Sequence, residues 1–183
     1  MADITRKDVE RRVKRGDSLK EIDMTGLNLD DFNFEGAIFN KCKFSGSSIN
    51  RSIFAFSRFE ACLFNDCEMQ ECNFQESSFV ECDFSKTDLR DSVLIEVNFR
   101  QTVLHSTDFS GSFLQDVVLI EASGDLCNFS FSTLNASNFT VRNFRSVISA
   151  PAAVSVSKRR RRTLRVQNSA GHGWIHHNFR VQF

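Results

Sequence analysis

The side chains best equipped for chemistry are six cysteines and four histidines, and their spacing limits what they can do. Cys42, Cys62, Cys67, Cys72, Cys82 and Cys127 are all separated by multiples of five residues. Structural zinc sites place thiolates two to four residues apart so that both reach one ion, and disulfides need converging side chains. The cluster Cys62, Cys67, Cys72 and Cys82 therefore points away from zinc, and the six are expected to be buried, free thiols in a reducing compartment. His172, His176 and His177 have no helix to fix them and no carboxylate beside them, and His105 stands alone. There is no Gly-rich phosphate loop and no nucleophile elbow. The expectation is a protein that is not an enzyme, with no catalytic residue, cofactor or metal.

A five-residue interval also governs the apolar residues. Stepping by five from Met24 to Phe144 meets a large apolar residue at 24 of 25 positions, Gly124 being the exception. Two residues before each, from Ala37 to Ser137, stands Ala, Cys, Ser, Thr or Val without interruption, and every cysteine falls in this small slot. A period of five matches neither the 3.6 of a helix nor the 2.0 of a strand, so the chain must repeat a short turn. The 20 Phe, with no Tyr, are apolar filler that wants no polar partner.

The segments Ala37-Ile38-Phe39-Asn40-Lys41, Cys72-Asn73-Phe74-Gln75-Glu76 and Cys82-Asp83-Phe84-Ser85-Lys86 resemble the pentapeptide-repeat family, and the likeness runs over about residues 22 to 146. The resemblance implies an all-β fold, a right-handed quadrilateral parallel β-helix in which four pentapeptides make one square coil. Stacking at the roughly 4.8 Å strand spacing would give about six coils. Residues 20 apart then lie one above another. Phe39, Phe59, Phe79 and Phe99 form one interior column, Phe44, Phe64 and Phe84 another, and Cys42, Cys62 and Cys82 a third with parallel thiols.

Three positions of each repeat face outward, and function is expected there. Between Asp17 and Arg145 there are 20 Asp/Glu against 10 Lys/Arg, although the whole chain is formally neutral. Glu76, Glu96 and Asp116 share one outward column, a line of carboxylates at strand spacing. Val93, Ile95 and Phe113 are outward and apolar, with Val93 and Phe113 vertical neighbours; with Val103, Val118, Ile120, Leu126 and Phe131 they form a candidate protein or homodimer interface. The expected function is a macromolecular interaction that presents this acidic and partly apolar surface to a protein. The family resemblance adds an alternative, since some members inhibit DNA gyrase, a type II topoisomerase, as DNA mimics and confer quinolone resistance.

Two ends complete the division into residues 1–16, 17–146 and 147–183. Thr5 can cap a helix over 6–15, with Val9 and Val13 on one face and Gly16 to stop it, closing the first coil. Arg12-Val13-Lys14-Arg15-Gly16-Asp17-Ser18-Leu19, running into Met24-Thr25-Gly26-Leu27-Asn28-Leu29, resembles the lead-in of pentapeptide proteins of bacterial type VI secretion, a second alternative. After Arg145 the phase fades and Lys158-Arg159-Arg160-Arg161-Arg162 forms a basic tail, the one segment suited to nucleic acid, flexible or folded back on the last coil with Trp174 and Phe179. No run reaches the roughly 18 apolar residues of a membrane span, so a cytoplasmic protein is expected.

Overall fold

The computed structural model describes residues 2–137 together with the backbone of Arg142–Val147 and Ala153–Ser155. Every fifth residue from Glu21 to Ala136 has a positive φ, between 53° and 72°. This is what turns the chain. At many corners the carbonyl of the large inward residue accepts a hydrogen bond from the amide three residues on, as from Ser47 to Phe44 (2.9 Å) and Ser77 to Phe74 (3.0 Å). A β-turn with positive φ at its third residue results.

Twenty of these corner residues are not glycine. A β-branched side chain is a true outlier at such φ, and none of the corner positions from 21 to 136 holds Val, Ile or Thr. The short edges between corners pair in parallel at 20-residue offsets. One side is a four-stranded sheet, β1 (Ser18–Lys20), β2 (Ile38–Asn40), β3 (Arg58–Glu60) and β4 (Ser78–Val80), with Phe39 opposite Phe59 and Phe59 opposite Phe79. The other sides run as single parallel bridges, Asp23 to Lys43, Asn28 to Ser48 and Asn33 to Ile53 among them. Four faces per turn therefore stack as a quadrilateral β-helix.

The interior is the phenylalanine lattice. Phe39, Phe59 and Phe79 stack nearly parallel, with centroids 4.8 and 4.9 Å apart, and Phe44, Phe64 and Phe84 follow at 4.6 and 4.7 Å. Adjacent columns meet edge to face, Phe44 to Phe59 at 5.9 Å and 69°. Both arrangements suit the aromatic quadrupole, and each fully buried Phe contributes about 1.5–3 kcal/mol. Phe79 and Phe84 have no exposed surface, and Phe99 has 1 %.

The small slot does more than leave room. The Ser47 hydroxyl donates to the Met24 carbonyl (2.9 Å), Thr87 to Phe64 (2.7 Å), and the Cys67 thiol to Phe44 (2.9 Å), each reaching back 23 residues. Cysteine is accepted there as a small side chain that is also a weak donor.

The first coil is closed by α1 (Arg6–Lys14). The Thr5 hydroxyl accepts from the Asp8 amide (3.3 Å), while Gly16 (φ 73°) returns its amide to Val13 and Asp17 to Arg12, a Schellman ending. Val9 is fully buried and Val13 packs beside the core. Arg6 donates to the carbonyls of Asn28 (3.1 Å) and Asp30 (2.8 Å) and lies over the Phe32 ring, which pins the helix to the coil.

At the far end the pattern loosens. β5 (Ser123–Asn128) pairs with β7 (Arg142–Val147) mostly at an offset of 19 residues, with 20 at Asp125, whereas β6 (Thr133–Asn135) pairs with β8 (Ala153–Ser155) at a clean 20. By count, Val141 and Pro151 fall on corner positions. A β-branched residue resists the positive φ a corner needs and proline cannot adopt it. Gly124, the exception among the large slots, has its own reason: a Cβ would sit 2.9 Å from the Leu104 carbonyl oxygen.

Candidate interaction surface

The four faces share one backbone and differ only in what they point outward. The face carrying β1–β4 bears Arg58, Glu60 and Arg100; the next bears Lys43, Asp83 and Asp125; the third bears Glu68, Asp88, Arg90 and Asp108. On the fourth, the outward positions of the five strands from Ile53 to Asn135 hold Ile, Ala, Asn, Gln, Val, Phe and Thr, and no charged residue. Its parallel bridges run Ile53, Asn73, Val93, Phe113 and Thr133 in one line, so Val93 and Phe113 are vertical neighbours. Phe113 is 56 % exposed and Ile53 40 %, while Val93 and Ile95 are half-buried.

Carboxylates edge this face on both sides. Glu71 and Asp91 stand at one corner column and Glu76, Glu96 and Asp116 at the other, all exposed. Positive φ (54°, 57° and 55°) turns the latter three outward, and their amides are held in the ladder by Ile95, Gln115 and Asn135 at 2.8–2.9 Å. Gln75 and Gln115 donate weakly to Glu76 (3.4 Å) and Asp116 (3.2 Å). Among the described residues no cation lies within 4.0 Å of these three; the ion pairs are elsewhere. At 31/51, by contrast, the Arg51 guanidinium grips Asp31 at 2.9 and 3.0 Å and holds its carboxyl below the ordinary value. Two like charges at strand spacing repel by roughly 0.9 kcal/mol in bulk water, so the Glu76 column gains from any cation brought to it.

One constellation escaped the sequence reading. Ser85, His105 and Asp125 share a column, and His105 Nδ1 meets Asp125 Oδ1. The order is that of a hydrolytic triad, but the geometry is not. The Ser85 hydroxyl donates to its own neighbour Asp83 (2.6 Å), and the nearby amides of Lys86 and Ser106 are spent on the carbonyls of His105 and Asp125 (2.7 and 2.8 Å). No free donor pair remains to stabilise an oxyanion.

All six thiols are buried and free. Burial pushes Cys67, Cys72 and Cys127 up to about 12, and Cys42 is raised by its hydrogen bond with Cys62 and by burial. Thiols so protonated are poor nucleophiles and poor metal ligands. Among the described residues no group of three or more His, Cys, Asp or Glu could hold a metal ion, and no helix is long and apolar enough to cross a membrane. Lys158–Arg162, His172, His176, His177, Trp174 and Phe179 lie outside the described residues.

The sequence reading found the Val93/Phe113 pair and the carboxylate column but missed Ile38, Ile53, Phe56 and Leu63, exposed apolar residues of the earlier coils. Sorting outward residues by their position within 20 would have exposed the uncharged face.

Two family models match, one described as pentapeptide repeat region over residues 52–123 and one as pentapeptide repeats (8 copies) over 18–54. A comparison with curated proteins finds no match. Among solved structures the chain is similar to HetL, a pentapeptide repeat protein involved in heterocyst differentiation regulation in the cyanobacterium Nostoc sp. strain PCC 7120, at 12% identity and TM-score 0.60, over 84% of this chain and 81% of that one. It is also matched to a pentapeptide repeat protein of the Arabidopsis thaliana thylakoid lumen (16% identity, 60% and 70% covered, TM-score 0.43) and to QnrB1, a plasmid-mediated fluoroquinolone resistance protein (17% identity, 75% and 84% covered, TM-score 0.31). Repeat, four-sided coil and matched models agree: the chain belongs to the pentapeptide-repeat family and folds as a right-handed quadrilateral β-helix.

Proposed function

We propose that this protein is a non-enzymatic docking module that receives a protein partner on its fourth face. The observation that carries this reading is the contrast among faces: one of four, over five successive coils, displays Ile53, Val93, Ile95 and Phe113 and no charge, between two acidic edges. An apolar centre with a charged rim is the anatomy of a protein interface. The partner this surface fits has apolar side chains flanked by Lys or Arg. A second copy meeting it face to face would bring acidic edge against acidic edge, so a heterologous partner is favoured over a homodimer.

Affinity capture with the parent and with Phe113→Glu tests the reading. A partner bound by the parent and released by the variant, with the melting temperature unchanged, is the expected result; equal capture by both overturns it.

The paired acidic edges favour a second reading, in which they imitate the two phosphate strands of duplex DNA toward a type II topoisomerase. The charge densities weigh against it. Over the three coils from Glu71 to Asp116 the two edges hold five carboxylates in about 14 Å, one charge per about 2.9 Å, against one per about 1.7 Å along DNA. A gyrase supercoiling assay separates the two: inhibition by the parent that is lost when Glu76, Glu96 and Asp116 become Gln, Gln and Asn would replace the first reading with the second.

A further inference from the structure

We infer that the partner received on the fourth face presents a basic amphipathic α-helix, laid along the axis of the coils. This rests on the reading of the face as a docking surface and adds the form of what docks; its test separates the two.

The backbone of the face speaks against an extended peptide. The amides of Asn73, Val93 and Phe113 donate to the carbonyls of Ser52, Cys72 and Ser92 (3.0, 2.9 and 2.9 Å), and their carbonyls accept from Phe54, Phe74 and Leu94 (2.7, 2.8 and 2.8 Å). A strand that adds to a sheet gains its affinity from main-chain hydrogen bonds at a free edge, and these residues have none to offer. A helix satisfies its own backbone and needs side-chain contact alone.

The repeat distance points the same way. Ile53, Asn73, Val93 and Phe113 follow one another in a single line of parallel bridges, at a spacing of about 4.8 Å. A helical turn rises about 5.4 Å, so side chains one turn apart stay within about 2 Å of successive coils from Ile53 to Phe113. Alternate residues of an extended peptide lie about 6.7 Å apart and slip by a whole coil over the same length. On the helix, position i meets Ile53, i+7 meets Val93 and i+11 meets Phe113, while i+4 falls at Asn73 and suits a polar residue.

Width and charge agree. Three residues such as Val93-Leu94-Ile95 span the face, about 10 Å at strand rise, and a helix with its side chains is about 10–12 Å across. Its flanks then lie against Glu71 and Asp91 on one side and Glu76, Glu96 and Asp116 on the other, none with a cation within 4.0 Å among the described residues. Lys or Arg on both sides of the apolar stripe complements these edges. The chain's own α1 is basic, but its Val9 is buried against the first coil, so α1 of a second copy does not supply the helix.

Selection from a displayed library of random peptides of about sixteen residues, long enough as a helix to cross five coils, tests the inference on the immobilised full chain. Selected peptides are expected to carry apolar residues at i, i+7 and i+11 with Lys or Arg beside them, and to gain helical circular dichroism on binding. Their affinity should fall at least about tenfold on Phe113→Glu, and at least about threefold when Glu76, Glu96 and Asp116 become Gln, Gln and Asn. Peptides with an apolar residue at every second position, or that bind without gaining helix signal, overturn the inference and leave the docking reading standing. Peptides that bind Phe113→Glu as tightly as the parent overturn both. A selection that yields no binder, or a parent that sediments as a dimer split by Phe113→Glu, overturns the inference, the face then being closed to a helix.

Discussion

The third and fourth faces are built on the same ladder and do opposite things with it. Asp88 on the third donates its amide to Cys67 at 3.0 Å, and Val93 on the fourth donates to Cys72 at 2.9 Å. On the third face charge is settled within the chain. Asp88 accepts from Arg90 (2.7 Å) and Gln70 (2.6 Å); burial pushes its carboxyl up, and these hydrogen bonds more than offset it and hold the carboxyl below its ordinary value. On the fourth face the apolar centre is open, and the edge carboxylates Glu76, Glu96 and Asp116 have no described cation within 4.0 Å, only weak donation from Gln75 and Gln115 to Glu76 and Asp116. The ladder amides of both faces are committed to the coil whatever stands outward beside them, and a face left unsettled is one available to something else.

The sharpest break in the comparison is between inward and outward slots. Phe79→Asp places an unpaired charge between Phe59 and Phe99 and is expected to remove more than about 4 kcal/mol, uncoupling the coils on either side. Glu76→Lys, three residues away but outward, should change stability by less than about 0.5 kcal/mol. Thermal melts followed by circular dichroism distinguish them, and equal melting of the two variants would undo the slot assignment.

Next in size is Gly124→Leu, which restores the repeat's own pattern and should nevertheless destabilise by about 1–3 kcal/mol, since its Cβ meets the Leu104 backbone. A gain in melting temperature would mean that the consensus, not the local approach of the coils, governs that position.

The buried thiols set a smaller, pH-dependent effect. Their folded values lie above the ordinary 9.0, so the folded state holds its protons longer than the unfolded chain does. Stability from this source is complete below about pH 9 and is lost as pH rises toward about 12. Replacing Cys67, Cys72 and Cys127 with Ser keeps a small donor in each slot and should flatten the alkaline decline in urea midpoints between pH 8 and 11. An unchanged slope would show that the thiols do not titrate with unfolding.

The smallest expected effect on stability, under about 0.5 kcal/mol, belongs to Phe113→Glu, for which the same change should weaken partner binding at least tenfold. Isothermal titration against the captured partner reads the binding and a urea melt of the same preparation reads the stability; a large loss of stability would place Phe113 in the fold rather than the interface.

Most of the interior was legible from residue types alone. A Phe or Leu every fifth residue, a small residue two before it, and cysteines confined to that small slot leave few arrangements, because each slot must be filled at fixed volume and each buried thiol or hydroxyl needs a carbonyl. The capping helix was legible in Thr5, Val9 and Gly16 for the same local reason. The absence of Val, Ile and Thr from the corners was written in the sequence too, though it acquires meaning only once positive φ is known there.

The surface was decided by closure. A five-residue step specifies a corner but not how many corners complete a turn, which depends on the corner geometry and on how the Phe columns meet across the lumen at edge-to-face angles near 70°. Only when four faces close do Ile53, Val93 and Phe113, 20 and 40 residues apart in the chain, become one uncharged strip. Side-chain volume acts within a pentapeptide and can be read along the chain, whereas the neighbourhood of an outward residue is made by stacking.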